Sequence, residues 1–283
     1  MAWLPRGASC TLERMWARAR PLVLGLLLVG YATAWAQAPD TVLLEELTWT
    51  EVRDLLKAGK TTILVPLGGT EQSGPHLALG KHSARVRALS EQVARGLGDA
   101  LVAPVLAYVP EGALNPPTGH MRFPGTITLP EDAFEKVIES AARSFRLHGF
   151  RDIVFLGDSG STQAGQRAVT ARLNREWRDS AVRVHAGEEY YRTAVGEFPR
   201  LLRERGFRED EVGKHAGLAD TSLTLAVDQR LVRPDRLQRR GESERLDGVD
   251  GDPRKATVAL GKLGTDAILT RTVDAIRKAT ARR

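Results

Sequence analysis

The sequence has almost no cysteine. Its single copy, Cys10, lies before an apolar run near the N-terminus, so the chain after residue 36 contains no thiol. This absence excludes disulfide bonds and cysteine-ligated metal sites from that part of the chain. Any metal bound there has to use His, Asp or Glu side chains, and the sequence offers 6 histidines.

The sequence also lacks a cluster of charges of one sign. The 41 basic residues outnumber the 35 acidic ones, but the two signs are interspersed along the chain. Half of the net charge of +6 comes from the first 36 residues, and the remainder carries 37 basic and 34 acidic residues. This pattern does not indicate a nucleic-acid surface, and we expect no nucleic-acid partner.

The apolar run at residues 21–34 is short for a membrane span. Basic residues precede it and small residues end it, which is typical of a secretory signal peptide, here residues 1–36 with cleavage after Ala36. We therefore expect export to the periplasm, with no stable membrane insertion after cleavage. An uncleaved membrane anchor is the alternative. The start of the protein, Met1 or Met15, stays open.

Strand patterns and helix patterns alternate along residues 37–283. The apolar runs at 61–67 and 152–157 have the length and composition of buried strands, and residues 83–97 and 131–147 have helical spacing. Further predicted elements are a capping box at 48–51, strands at 100–109 and 181–187, helices at 162–177, 188–206 and 253–280, and irregular segments at 110–129 and 228–253. The alternation predicts one α/β domain, with a mostly parallel sheet and helices on both faces in a three-layer α/β/α arrangement.

Chemistry-bearing side chains follow the predicted strands. The stretches "GTEQSGPHLALGKH", "GDSGSTQ" and "HAGLADTS" lie where strands end and the chain turns. The loop 110–129 is long for a compact domain, and loops of this length usually have a function. Ligand sites of parallel sheets lie beyond the carboxyl ends of the strands. We therefore expect these stretches to converge.

These stretches resemble the creatininase (creatinine amidohydrolase) family. "PLGGTEQSGPHLALGKH" is similar to the family's signature, which usually reads Glu-Gln-His-Gly-Pro-His-Leu-Pro-Leu followed by an aspartate. "HMRFPGTITL", "DIVFLGDSGS", "HAGLADTS" and "GVDGDPRKATVALGKLG" resemble further family motifs in the family's order, over residues 43–275. The resemblance implies a creatininase-like fold, hydrolysis of C–N bonds of small and often cyclic amides, two divalent metals and a homo-oligomer.

The sequence departs from the family pattern at the ligand positions. Glu71 is retained, but the family's ligand histidine falls on Ser73 and its bridging aspartate falls on His82. The histidine of the third motif falls on Ser159, and a glutamate of the fourth is shortened to Asp220. A hydroxyl is a poorer ligand than an imidazole, and one imidazole nitrogen cannot bridge two ions. We therefore predict one zinc or manganese ion rather than two, with no metal as the alternative.

The resemblance suggests roles for the remaining side chains. The predicted metal ligands are Glu71, His82 and Asp220, with Asp158 as a further candidate, and His215 is the predicted group that moves protons or polarises a carbonyl. Candidate substrate-binding residues are His120, Ser73 and Gly160, although His120 could equally pin its loop. His76, His148 and His185 are predicted to be structural.

Three functional hypotheses follow. The first is an exported amidohydrolase with a divalent metal and an altered ligand set, acting on a small-molecule amide. The second is a degenerate family member that serves as a periplasmic binding or structural protein. The third is a serine hydrolase, because "GDSGS" resembles a nucleophile turn, with Ser159, His215 and Asp220 as its triad.

Overall fold

Four parallel strands form one sheet in the part of the chain that the computed structural model describes, residues 39–237 and 247–281. The strands are β1 (Thr62–Leu67), β2 (Ala100–Val102), β3 (Asp152–Gly157) and β4 (Arg183–His185), in the order β2-β1-β3-β4. Thr62 pairs with Ala100 on one side and with Asp152 on the other. All the pairings are parallel, which places the carboxyl ends of the strands at one edge.

Helices cover both faces of this sheet. They are α1 (Trp49–Lys57), α2 (Lys81–Leu97), α3 (Glu131–His148), α4 (Gln163–Glu176), α5 (Glu188–Arg192), α6 (Phe198–Arg203), α7 (Glu209–Val212), α8 (Leu218–Val227), α9 (Pro234–Leu237) and α10 (Val258–Thr280). Side chains of a strand point alternately to its two faces. Leu64 of β1 accordingly packs with residues of α2, α8 and α10, whereas its neighbours Ile63 and Val65 pack with residues of α3 and α4. The predicted α/β fold, a mostly parallel sheet with helices on both faces, is confirmed.

Local sequence accounts for the helix ends. The N–H of Thr48 donates to Glu51 Oε2 at 2.6 Å, and the Thr48 hydroxyl accepts from the N–H of Glu51, which is the capping box expected at the start of α1. Gly98 (φ 88°) and Gly149 (φ 104°) adopt left-handed conformations directly after α2 and α3. These ends fix where the chain re-enters the sheet.

Three predicted elements differ from those observed. The helix expected at 253–280 begins at Val258, after a separate 3-10 turn at Pro253–Lys255. The strand expected at 100–109 ends at Val102, because Pro104 has no N–H to continue the ladder, and pairing with β1 returns only as an isolated bridge at Leu106. The helix expected at 188–206 is divided into α5, a π-helical segment at Thr193–Glu197, and α6.

The predicted signal peptide, residues 1–36, lies outside the described residues. Of the helices in residues 39–237 and 247–281, none combines the length and apolarity that crossing a membrane would require.

Candidate functional site

The three stretches expected to converge do meet, beyond the carboxyl edge of the sheet. A cavity of about 680 Å³ lies there. Its lining includes Glu71 from the loop after β1, Asp158 from the loop after β3, and His215 and Asp220 from the turn into α8. His120 joins them from the long loop 110–129, which is tied back by a hydrogen bond from the Ile127 N–H to the Thr70 carbonyl.

Glu71, His120 and His215 form a close group at this cavity. Each offers one ligand atom, and these atoms all lie within 4.8 Å of one another. His120 Nε2 lies 3.3 Å from Glu71 Oε2, and His215 Nδ1 lies 3.8 Å from Glu71 Oε1. The two imidazole rings have centroids 4.6 Å apart. We call these three residues the outer group.

Gln72 sets the tautomers of both histidines. His215 Nε2 lies 3.0 Å from the Gln72 main-chain oxygen and 3.3 Å from its amide nitrogen. Because the nearer group only accepts, His215 Nε2 carries the proton, and Nδ1 presents a lone pair towards Glu71. The Gly74 N–H donates to Gln72 Oε1, so the Gln72 amide nitrogen donates to His120 Nδ1 at 2.9 Å. In this arrangement the proton of neutral His120 lies on Nε2, facing Glu71.

His215 is neutral at pH 7. Burial lowers its pKa to about 4, and the nearby positive charge of Lys81 adds to this effect. A neutral imidazole that donates its other N–H to a backbone carbonyl has the form that metal-binding histidines usually take.

A second set of charged residues lines the same cavity beside the outer group. Lys81, His82 and Arg85 project from the first turns of α2 towards three carboxylates, and we call this set the inner compartment. The Lys81 ammonium pairs with Asp220 Oδ2 and lies 3.7 Å from Glu71 Oε1. Arg85 pairs with Asp220, and its Nε donates to Asp158 Oδ1 at 3.0 Å. Lys81 is 0% exposed and Arg85 is 4% exposed, so these charges are removed from water.

His82 links two of the carboxylates. Its Nε2 lies 2.7 Å from Glu71 Oε1, and its Nδ1 contacts Asp158 Oδ1. Burial and Lys81 oppose a charge on this ring, but Glu71 and Asp158 outweigh them and raise the pKa of His82. Both ring nitrogens contact carboxylate oxygens, an arrangement that a doubly protonated, positively charged imidazole satisfies.

The carboxylates of the inner compartment remain ionised. Burial alone would raise the pKa of Asp158, but Arg85 and His82 hold it well below its usual value. Burial is likewise outweighed at Asp220, where Lys81 and Arg85 keep the pKa far below normal. The Tyr190 hydroxyl completes the shell of Asp158 by donating to Oδ2 at 2.7 Å.

The ligand set expected from the sequence, Glu71 with His82 and Asp220, does not suit a divalent ion in this arrangement. The Lys81 ammonium lies between Glu71 and Asp220, and His82 has no lone pair left to offer. Asp158 is occupied by Arg85, His82 and Tyr190. The outer group fits an ion better, since two imidazoles and one glutamate make up a known catalytic zinc ligand set.

Glu111 adds an uncharged carboxyl group beside the outer group. Burial and the negative charge of Glu71 raise its pKa to about 10, so it is protonated at pH 7. The Ser161 hydroxyl donates to Glu111 Oε1 at 3.4 Å.

The serine hypothesis receives no support from the geometry. Ser159 Oγ lies 2.9 Å from Ser161 Oγ, and no hydrogen bond among the described residues joins it to a histidine. Asp220 accepts from Lys81, Arg85 and the Ala216 N–H rather than from His215.

The candidate substrate-binding residues fall in different places. Gly160 lines the cavity, where an added Cβ would meet the Tyr191 hydroxyl at 2.7 Å, and His120 lines it as part of the outer group. Ser73 is fully buried, and its hydroxyl has no hydrogen-bond partner among the described residues. It is not among the residues that line the cavity.

The other histidines have structural contacts or lie on the surface. His76 is 1% exposed, and its Nε2 lies 2.9 Å from the Thr221 hydroxyl. His185 pairs with Asp152 at 2.7 Å, and His148 is exposed at the end of α3.

Sequence reasoning overlooked four residues of this site: Gln72, Lys81, Arg85 and Glu111. Arg85 follows Lys81 by four residues on α2, so the sequence places both on one helix face, but nothing local indicates that this face is buried.

Comparison with known proteins connects this site to one family. A model of the creatininase family, described as creatinine amidohydrolase, matches residues 45–276. A mycofactocin precursor peptide peptidase of Mycobacterium ulcerans (strain Agy99) is 28% identical over 225 residues, which cover 71% of this chain and 78% of the relative. The creatinine amidohydrolase of Pseudomonas putida is 28% identical over 207 residues, covering 70% of this chain and 76% of that protein.

A solved structure shares the fold. A creatininase mutant described as of the Zn-Zn type aligns with a TM-score of 0.66 and 24% identity, over 84% of this chain and 98% of the other. Since the family model spans residues 45–276 of the 283, this chain belongs to the creatininase family.

Proposed function

We propose that this protein is an amidohydrolase that cleaves a C–N bond of a small amide with one divalent ion, held by Glu71, His120 and His215. The observation that carries the proposal is the outer group itself, whose three ligand atoms lie within 4.8 Å of one another at the wall of a cavity. This ligand set replaces the one expected from the sequence, in which His82 and Asp220 joined Glu71.

The chemistry of the outer group suits zinc. Two histidines and one glutamate leave coordination positions open for water and substrate, as catalytic zinc sites require. A bound divalent ion would supply a water of lowered pKa and would polarise the substrate carbonyl. His215 is prepared for this role, because its Nδ1 lone pair faces Glu71 while Nε2 donates to the Gln72 carbonyl.

The cavity suits a small substrate. Its volume of about 680 Å³ is within the usual range for sites that bind small molecules. Its lining includes the apolar residues Ala194, Val195 and Leu223 and the hydroxyl groups of Ser159 and Ser161. A substrate with an apolar part and an amide group would find partners of both kinds.

The named relatives support the reaction class. A peptidase and a creatinine amidohydrolase both cleave C–N bonds of amides, the first in a peptide and the second in a cyclic compound. The two relatives differ in substrate, so the substrate panel below includes both peptides and cyclic amides. We also propose export to the periplasm, on the basis of the signal-peptide pattern in residues 1–36.

Zinc binding tests the proposal. Chelator-stripped protein lacking residues 1–36 is titrated with Zn²⁺ by calorimetry, and one ion per chain is expected. His120→Ala and His215→Ala should each weaken binding at least 100-fold, while His148→Ala, at an exposed position, should leave it unchanged. Hydrolysis of a panel of cyclic amides and short peptides should require the ion.

The degenerate-protein hypothesis makes the opposite prediction. It is favoured by the inner compartment, where cations already pair with carboxylates. If wild type binds no zinc, or if the two histidine variants bind zinc as well as wild type does, the proposal that the outer group holds a catalytic ion is wrong. A folded protein that binds a small amide without turnover would then be the better description.

A further inference from the structure

We propose that the buried Lys81 ammonium, together with Arg85, takes the place of a second divalent ion in this chain. The inner compartment would thus be a fixed-cation site, with its positive charge supplied by helix α2 instead of by a metal. This inference concerns the inner compartment and does not depend on an ion at the outer group.

The first support is the position of Lys81. Its side chain is fully buried, and its ammonium pairs with Asp220 and lies 3.7 Å from Glu71 Oε1. A cation held between two carboxylates occupies the place that a bridging metal would need. Lysine is seldom fully buried unless it is paired with a carboxylate, so the contacts with Asp220 and Glu71 account for the position of the Lys81 ammonium.

The second support is the balance of charge. The inner compartment holds three cations, Lys81, His82 and Arg85, against the carboxylates of Glu71, Asp158 and Asp220. A divalent ion added here would bring two positive charges to a compartment whose three carboxylates are already paired with cations. Charges left unpaired in a buried region are strongly unfavourable, so the compartment excludes a second ion as long as the lysine remains.

The third support is the absence of metal-ligand side chains at the positions where the resembled family has them. The ligand positions of the resembled family fall on Ser73, His82 and Ser159 in this chain. Ser73 Oγ has no hydrogen-bond partner among the described residues, and both nitrogens of His82 face carboxylates. At His82, therefore, a position of the family's ligand pattern is held by a cation inside the compartment.

Removal of the lysine provides the test. Lys81→Ala leaves Glu71 and Asp220 without their shared cation and opens space between them. Stripped protein is loaded with Zn²⁺, dialysed, and analysed for zinc per chain by mass spectrometry. We expect Lys81→Ala to hold one ion more than wild type. Lys57→Ala makes the same change in net charge at an exposed position of α1, and should hold the same number as wild type.

Two further variants separate the possible outcomes. In the His120→Ala background the increase on removing Lys81 should still be one ion, because the added ion lies between Glu71 and Asp220 and does not use His120. The double variant Lys81→Ala/Asp220→Asn restores the balance of charge and should gain no ion. Thermal unfolding of the double variant His120→Ala/Lys81→Ala should shift to higher temperature as Zn²⁺ is added by more than that of His120→Ala alone, which a merely destabilised variant would not show.

The inference is overturned if wild type already holds two ions, or if folded Lys81→Ala holds no more zinc than wild type. It is also overturned if Lys81→Ala stays unfolded at every zinc concentration, since a divalent ion then cannot replace the ammonium. If wild type holds no ion and Lys81→Ala holds one, the proposed function fails while this inference stands.

Discussion

At the scale of single residues, Gln72 is the contact that joins the two histidines of the outer group. Its main-chain oxygen accepts from His215, and its side-chain nitrogen donates to His120 Nδ1. The second contact places a proton on His120 Nε2, which is the atom nearest to Glu71. Metal binding through that nitrogen requires the proton to move to Nδ1 and the Gln72 amide to turn its oxygen towards it.

This requirement predicts the effect of Gln72→Glu. A carboxylate at this position can accept from His120 Nδ1–H without any reorientation, and it leaves the Nε2 lone pair for a metal. Partners of this kind typically change metal affinity 10- to 100-fold. We expect zinc to bind about 10-fold more tightly to Gln72→Glu in calorimetric titration. The exposed Gln229→Glu adds the same charge and should bind as wild type does; equal affinity for all three proteins would contradict the tautomer assignment.

At the scale of elements, α8 and α10 approach so closely that a glycine is needed between them. A Cβ added to Gly261 would lie 1.8 Å from the Ser222 carbonyl oxygen. Because Asp220 lies two residues earlier on α8, this packing also holds one carboxylate of the inner compartment in place.

We expect Gly261→Ala to lower the free energy of unfolding by about 1–3 kcal/mol, the usual cost of overpacking. Gly196 serves as the control, since a Cβ added there meets no atom within 4 Å. Gly196→Ala should be neutral or slightly stabilising, because alanine has the higher helix propensity. Urea denaturation of both variants measures the difference, and equal stabilities would show that the two helices can move apart freely.

The elements themselves were largely predictable from the sequence, but the connections between them were not. Apolar runs and glycine stops located β1, β3, α2 and α3 within a few residues, because those signals are local. The loop 110–129 has no such periodicity, so the sequence does not predict its course. Its length indicated a function, but the position of His120 in the site stayed open. The burial of Lys81 and Arg85 was also hidden, since charges four residues apart on a helix normally face water. Only the three carboxylates from distant segments explain it.

At the scale of the whole molecule, the inner compartment links stability to pH. Arg85 and His82 hold the pKa of Asp158 below its ordinary 3.8 against the effect of burial. Ionised Asp158 therefore stabilises the folded state above pH 3.8, and this contribution to the free energy of unfolding is lost as the pH falls below that value. The sign follows because the unfolded state takes up the proton first.

A comparison of wild type with Asp158→Asn should show this loss. At pH 7 the variant leaves Arg85 and His82 without an ionised partner and should be less stable by about 3–5 kcal/mol. Between pH 5 and pH 3, a range below the ordinary pKa of His82, the difference in stability should narrow by about 1 kcal/mol, because only wild type loses stability through Asp158. The exposed Asp132→Asn should show no such narrowing. A constant difference between pH 5 and pH 3, measured by urea denaturation of stripped protein, would contradict the assigned ionisation.

The spacing of the inner compartment along the chain has a consequence for folding. Lys81 and Asp220 are 139 residues apart, and Arg85 and Asp158 are 73 residues apart. The three cations come from five consecutive residues, but two of their three carboxylate partners, Asp158 and Asp220, arrive only after β3 and α8 have docked. Such long-range contacts form late, when most of the loop entropy has already been lost. Interactions absent from the folding transition state act mainly on the unfolding rate. We therefore expect substitutions at Asp158 and Asp220 to change the unfolding rate more than the folding rate.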